Sequence, residues 1–188
     1  MAKNLYPDKK KLLMEAAVDV FSEKGFWQTK ISDIVKKADL AQGTFYNYFK
    51  NKEAIFKEIL LRLHQEFVDE IEEMFEHNTD NICDKFVSKM IDSFICKKKI
   101  IKIFLYEVLS LGDEFIELYY YFKDKSEFFC RKALSIDFPN MEESSRMKKA
   151  FILSAFLRSF LELHILKENK TYTETKSLIE PYIKEILG

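Results

Sequence analysis

The run Gln42-Gly43-Thr44-Phe45-Tyr46-Asn47-Tyr48-Phe49 gathers side chains of several kinds that serve in molecular recognition. Gln42 and Asn47 carry the paired donor and acceptor that match the edge of adenine, and the Thr44 methyl suits the methyl of thymine. Tyr46 and Tyr48 offer hydroxyls to phosphate or sugar oxygens. Lys52 brings an ammonium to the start of a helix, where free backbone N–H groups also attract anions. Thr29, Lys30 and Ser32 open another helix near the same backbone. Gly43 lets the main chain approach closely whatever the stretch faces. These residues act together only if rigid elements hold them on one surface, so the helices around them are decisive.

Leu12, Leu13, Ala16, Ala17, Val20 and Phe21 recur at the spacing of one helix face, after Pro7-Asp8 and before Lys24-Gly25, which open and close a helix. Thr29 is the expected cap of a second, short helix with Ile31, Ile34, Val35 and Ala38 inward, ending near Asp39, a residue that tolerates a left-handed turn. The run from Gln42 makes two turns, with Phe45 and Phe49 facing inward. Asn51 caps a long fourth helix carrying an apolar stripe from Ile55 to Phe75, and further helices are expected at about 81–96, 98–111, 113–135, 143–168 and 173–187. No stretch alternates as a half-buried strand does. With 47% hydrophobic residues and only four glycines and three prolines, the chain has material for a core and few forced turns.

Three short helices and a long fourth, with a tight turn between the second and third, form the layout of a helix-turn-helix reader. The residues themselves, Ala16-Ala17, Phe21, Gly25-Phe26, Thr29, Ile34 and the run TFYNYFKNKEAIF over 44–56, resemble the N-terminal domain of TetR-family transcriptional regulators. The resemblance covers about the first 56 residues. It implies that Thr29, Lys30, Ser32, Gln42, Gly43, Thr44, Tyr46, Asn47, Tyr48 and Lys52 contact double-stranded DNA at a pseudo-palindromic operator. Two positions depart from the family pattern, since the turn reads Asp39-Leu40-Ala41 where Gly, an apolar residue and Ser or Thr are usual. Ala41 cannot cap the third helix, a loss on the order of 1 kcal/mol, and Asp39 adds negative charge beside a phosphate surface.

The expected fold is all-α, of about nine helices: a helix-turn-helix DNA-binding domain over 1–52 and a helical ligand-binding and dimerisation domain over 53–188. Helix four, about 52–76, connects them. The net charge is −1, but residues 1–52 carry +4 and the remainder −5, so the basic charge lies in front. Lys3, Lys9, Lys10 and Lys11 are candidate basic arms. The resemblance also implies a homodimer through the last two helices, by way of the apolar stretches 151–166 and 178–187. It implies a cavity for a small, largely apolar inducer that would relieve repression. Met90, Phe94, Tyr106, Tyr119, Phe122 and Phe156 are the candidate cavity residues, while Arg158 and Glu162, four apart, are expected to form an ion pair.

Other classes have little support. His64, His77 and His164 share no ligand-spaced partner, so no metal is expected, nor a cofactor beyond an unidentified small-molecule effector. No Gly-rich phosphate loop or nucleophile elbow points to an enzyme. Cys83, Cys96 and Cys130 form no disulfide framework, and neither a signal peptide nor a membrane-spanning stretch is evident, which predicts a cytoplasmic protein. A helical ligand-binding or interaction protein with a degenerate reader is the alternative, kept open by Asp39 and Ala41.

Overall fold

The computed structural model describes residues 8–77, 80–107 and 110–188. The chain runs through α1 (Lys9–Gln28), α2 (Ile31–Lys37), α3 (Gln42–Tyr46), α4 (Lys52–His77), α5 (Ile82–Cys96) and α6 (Lys98–Glu107). It continues through α7 (Asp113–Asp137), α8 (Glu143–Leu161) with a π-helical extension Glu162–Lys167, and α9 (Tyr172–Leu187). No strand occurs among the described residues. The fold is all-α, with the helix breaks where Gly112, Phe138-Pro139 and Asn169 interrupt the apolar pattern.

Local chemistry fixes the ends. The Asp8 carboxylate accepts from the Lys10 N–H at 3.0 Å and opens α1. Gly25, at φ 77°, breaks the helical path of α1 before its last turn. Thr29 is not the cap of α2, which begins from Lys30: the Thr29 hydroxyl donates to the Gly25 carbonyl at 2.7 Å, a bond made available by the break. Asn51 caps α4, accepting from the Ala54 N–H at 2.8 Å. α5 is capped from a distance by Asp137, whose carboxylate accepts from the Ile82 and Cys83 N–H groups at 2.9 and 2.8 Å. That cap ties the ends of α5 and α7 together, a contact that no local pattern reveals.

Two apolar cores divide the molecule. The first joins Leu13, Ala17, Phe21 and Phe26 of α1, Ile34 of α2, Phe45 of α3 and Ile55 and Phe56 of α4. Phe21, Phe26 and Phe56 lie with ring centroids 5.1 to 5.5 Å apart. Burying each such ring stabilises by about 1.5–3 kcal/mol. This core continues into Ile100, Ile103 and Phe104 of α6 and Phe115 and Leu118 of α7. The second core lies among the distal half of α4, α5, the distal half of α7, α8 and α9. α4 and α7 contribute to both, so they link the two halves mechanically.

Candidate nucleic-acid interface and ligand cavity

α2 buries Ile34 and Val35 and stops at Asp39, which takes the left-handed conformation at φ 54°. The Leu40 N–H then donates to the Val35 carbonyl at 2.9 Å and the Asp39 N–H to the Lys36 carbonyl at 3.3 Å. This paired pattern is the Schellman motif, which satisfies carbonyls that the helix end would leave free. Asp39 therefore performs the turn that glycine usually makes, and the tight turn between α2 and α3 is intact. Ala41 stands at the start of α3 and offers no side-chain cap, as expected.

α3 is shorter than the two turns expected, with a single regular stretch Gln42–Tyr46 followed by a turn to Phe49. Phe45 and Phe49 are the anchors, buried with ring centroids 5.7 Å apart. The periodicity that sends these two inward leaves Gln42, Gly43, Tyr46, Asn47 and Tyr48 exposed and Thr44 half-buried. Tyr46 is 53% exposed, a large aromatic surface left open to solvent although its ring meets that of Phe45 edge-on at 5.6 Å between centroids. A Cβ added at Gly43 would meet nothing within 4 Å, so the fold itself has no steric need for glycine there.

The flanking candidates divide. Lys30 and Ser32 are exposed at the start of α2, where the Asp33 carboxylate accepts from the Lys30 N–H at 3.0 Å and pairs with Lys24 at 3.0 Å. Those bonds, the backbone one first, hold the Asp33 carboxyl below the usual range. Thr29 is buried and its hydroxyl is committed to Gly25, so its side chain shapes the corner between α1 and α2 and presents nothing outward. The Lys52 ammonium donates to the Phe26 carbonyl at 2.8 Å and lies 4.3 Å from the Phe26 ring centroid, fastening the end of α1 to the start of α4. Of the basic arm, Lys3 lies outside the described residues, Lys10 is paired with Glu58, and Lys11 lies 3.8 Å from Glu15.

Between α4, α5, α6, α7 and α8 a cavity of about 180 Å³ opens. Met90, Phe94, Tyr119 and Phe122 line it. Tyr106 and Phe156 do not: Tyr106 is on the outer face of α6, 51% exposed, and Phe156 turns to the α9 side, with its ring 5.4 Å from Tyr182. Leu63 and Phe67, in the middle of the α4 stripe, are only partly buried because they face this space. His64, also in the wall, stacks on Phe122 with centroids 4.1 Å apart. Burial, with the nearby Lys125 and Lys97 ammoniums, pushes its imidazole down to about 4. Arg158 makes no ion pair with Glu162; its guanidinium meets the Tyr119 hydroxyl and lies 5.6 Å from the Tyr119 ring centroid. The sequence signal was present, since an arginine in an apolar helix needs a partner, but the partner comes from another helix. Among the described residues no group of three or more His, Cys, Asp or Glu side chains is placed to hold a metal ion.

Residues 13–59 match the family described as bacterial regulatory proteins, tetR family. Among curated proteins, the HTH-type transcriptional regulator YdgC of Bacillus subtilis is 47% identical over 57 residues, which span 30% of this chain and 29% of that relative. A transcriptional regulator from Aquifex aeolicus VF5 superposes with a TM-score of 0.77 at 28% identity, covering 95% of this chain and 99% of the other. The regulator FadR of Bacillus subtilis, solved in complex with stearoyl-CoA, shares the fold at a TM-score of 0.79 and 18% identity, covering 95% and 97% of the two chains.

Proposed function

We propose that the chain, whose residues 13–59 match the bacterial regulatory proteins of the tetR family, is a sequence-specific DNA-binding transcriptional regulator. Its action is repression, released when a small, largely apolar ligand enters the cavity. The observation that carries this reading is α3 with the turn that follows it, which spends Phe45 and Phe49 on the core and leaves Gln42, Gly43, Tyr46 and Asn47 exposed. Residues 1–52 act as the reader and 53–188 as the sensing and pairing body, although the two share apolar packing. Gln42, Thr44 and Asn47 read base edges, while Tyr46, Tyr48, Lys30 and Ser32 hold the backbone. Lys52 serves from beneath, at the positive end of α4, with one of its N–H groups directed to the Phe26 carbonyl.

A single short reader makes few base contacts, so specificity calls for two. Met147, Phe151 and Ile152 of α8, Leu163 just beyond it, and Leu178 and Tyr182 of α9 are large apolar residues 41 to 53% exposed. Such a patch favours pairing with a second copy through the last two helices. The two readers of that homodimer would engage a pseudo-palindromic operator at half-sites about 34–36 Å apart or a multiple of it.

The route from ligand to DNA lies in shared side chains. Leu60, Ile100 and Phe104 line the cavity and also belong to the apolar core of the reader. A Cβ at Gly25 would lie 3.4 Å from a Glu107 carboxylate oxygen, so the end of α6 abuts the corner of α1. A ligand that prefers one arrangement of α4 and α6 shifts the reader with them, by its difference in affinity for the two states. The FadR neighbour was solved with stearoyl-CoA, a molecule with a long apolar part, which favours an apolar effector here as well. Acting on a chromosome, the protein would work in the cytoplasm; no helix among the described residues is long and apolar enough to cross a membrane.

The test is to incubate the full chain with a mixture of genomic fragments that includes its own upstream region. Retention of one or a few fragments, each protected at two half-sites by two chains, supports the reading. Equal retention of every fragment, or one chain per site, contradicts it.

A further inference from the structure

We propose that the cavity takes an amphiphilic anion, a carboxylate on a short apolar chain or ring, with Arg158, Lys125 and Lys123 receiving the charged end. The inference rests on the reading of this cavity as the effector site and specifies its ligand. Four cationic side chains, Lys97, Lys123, Lys125 and Arg158, stand in a wall otherwise dominated by Leu, Ile, Phe and Met, and among the described residues no Asp or Glu does.

Their other partners differ in a way that matters. Lys97 is largely satisfied: it donates to the Leu63 carbonyl at 3.3 Å and lies 3.8 Å from the Glu66 carboxylate. Among the described residues Lys123 and Lys125 lie over aromatic rings and within ion-pair distance of no carboxylate, Lys123 at 5.7 Å from the Tyr120 centroid and Lys125 at 5.8 and 5.9 Å from those of Tyr121 and Phe128. Arg158, half-buried, has the Tyr119 hydroxyl as its one hydrogen-bond partner and no carboxylate within ion-pair distance among the described residues. A guanidinium held in apolar surroundings without a counter-ion is costly, and its planar fork matches a carboxylate. A neutral ligand would cover this charge and leave it unpaired, and a cation would be repelled. Burial first, and then the Lys125 and Lys97 ammoniums, disfavour protonation of His64, in keeping with a positive field in this space.

Size limits the apolar part. A cavity of about 150 Å³ accepts a benzene ring, so the 180 Å³ here suits a ring or a chain of roughly six to eight carbons. Octanoate, 1-octanol and octylammonium share one chain and differ in the head alone. Titrated calorimetrically into the full-length protein at neutral pH, octanoate should bind about ten-fold or more tightly than 1-octanol, with octylammonium weakest. Arg158→Met should remove most of that advantage while leaving 1-octanol affinity unchanged. Lys125→Met should reduce it in the same direction, and thermal unfolding checks that each variant is folded. Equal binding of octanoate and 1-octanol, or an octanoate advantage that survives both substitutions, overturns the anion seat and leaves the effector cavity standing. Failure of all three probes to bind overturns both.

Discussion

In the N-terminal half, aromatic rings meet one another, with Phe21, Phe26 and Phe56 filling the space between α1 and α4; in the body, the rings of Tyr119, Phe122 and Phe94 stand around an opening of about 180 Å³. A filled core holds one geometry, as the DNA-reading role proposed for this half requires. A hollow one changes shape at lower cost, as a sensor needs, because its lining side chains lack neighbours on one side. The two regions meet in Leu60, Ile100 and Phe104, which belong to both. The packed half and the hollow half are thus joined by side chains that cannot move in one without disturbing the other.

The largest effect that would break this contrast is in the packed half. Phe45→Ala should cost about 3–5 kcal/mol in urea unfolding, because the ring is fully buried and its removal opens a cavity in the core. Phe122→Ala, at the half-buried edge of the cavity, should cost only about 1–2 kcal/mol. Equal losses would mean that the two regions are packed alike.

Next in size is a pH effect confined to the body. The folded protein keeps His64 neutral down to about 4, whereas the unfolded chain takes up a proton near 6.5. The stabilisation is therefore complete above pH 6.5 and is lost as the pH falls toward 4, by roughly 2–3 kcal/mol. His64→Phe should flatten stability over that window, measured by denaturant unfolding at a series of pH values. An unchanged slope would show that His64 is not held neutral by its surroundings.

The smallest effects sharpen the picture of the reader. Gly43→Ala should raise stability by about 0.5–1 kcal/mol, since the site is helical and open, yet weaken DNA binding by placing a methyl where the backbone approaches. Asp39→Gly should be neutral or stabilising by up to about 1 kcal/mol, because the residue is left-handed, and should strengthen DNA binding by removing a negative charge. Stability and DNA affinity moving together in Gly43→Ala would contradict a recognition role for that position.

How much of this was readable in the sequence follows from the range of the contacts. Asp8, Asn51, Asp39 and the Phe45–Phe49 pair act within a few residues, so their roles show as local patterns and the structure places them as expected. Thr29 departs from the expected cap of α2, because the break at Gly25 exposes a carbonyl that draws its hydroxyl inward, and the Phe26 carbonyl beside that break takes a bond from the Lys52 ammonium. The cavity was legible only as an abundance of aromatics. Met90, Phe94, Tyr119 and Phe122 line it, but Tyr106 and Phe156 face away, and a one-residue step along a helix decides such matters. Arg158 found Tyr119 from α7 instead of Glu162 along its own helix, a pairing that depends on how α7 and α8 pack.

The measurement that bears most directly on the reader is the salt dependence of binding to the retained genomic fragment, compared for wild type, Tyr46→Ala and Asn47→Ala. Wild type should bind that fragment tightly and lose affinity steeply with salt. Tyr46→Ala should weaken all fragments alike through the loss of a backbone contact, with little change in slope because tyrosine carries no charge. Asn47→Ala should cost about 1–3 kcal/mol on the specific fragment alone. Equal, weak, salt-sensitive binding by all three proteins to every fragment would contradict the assignment of α3 as the element that reads sequence.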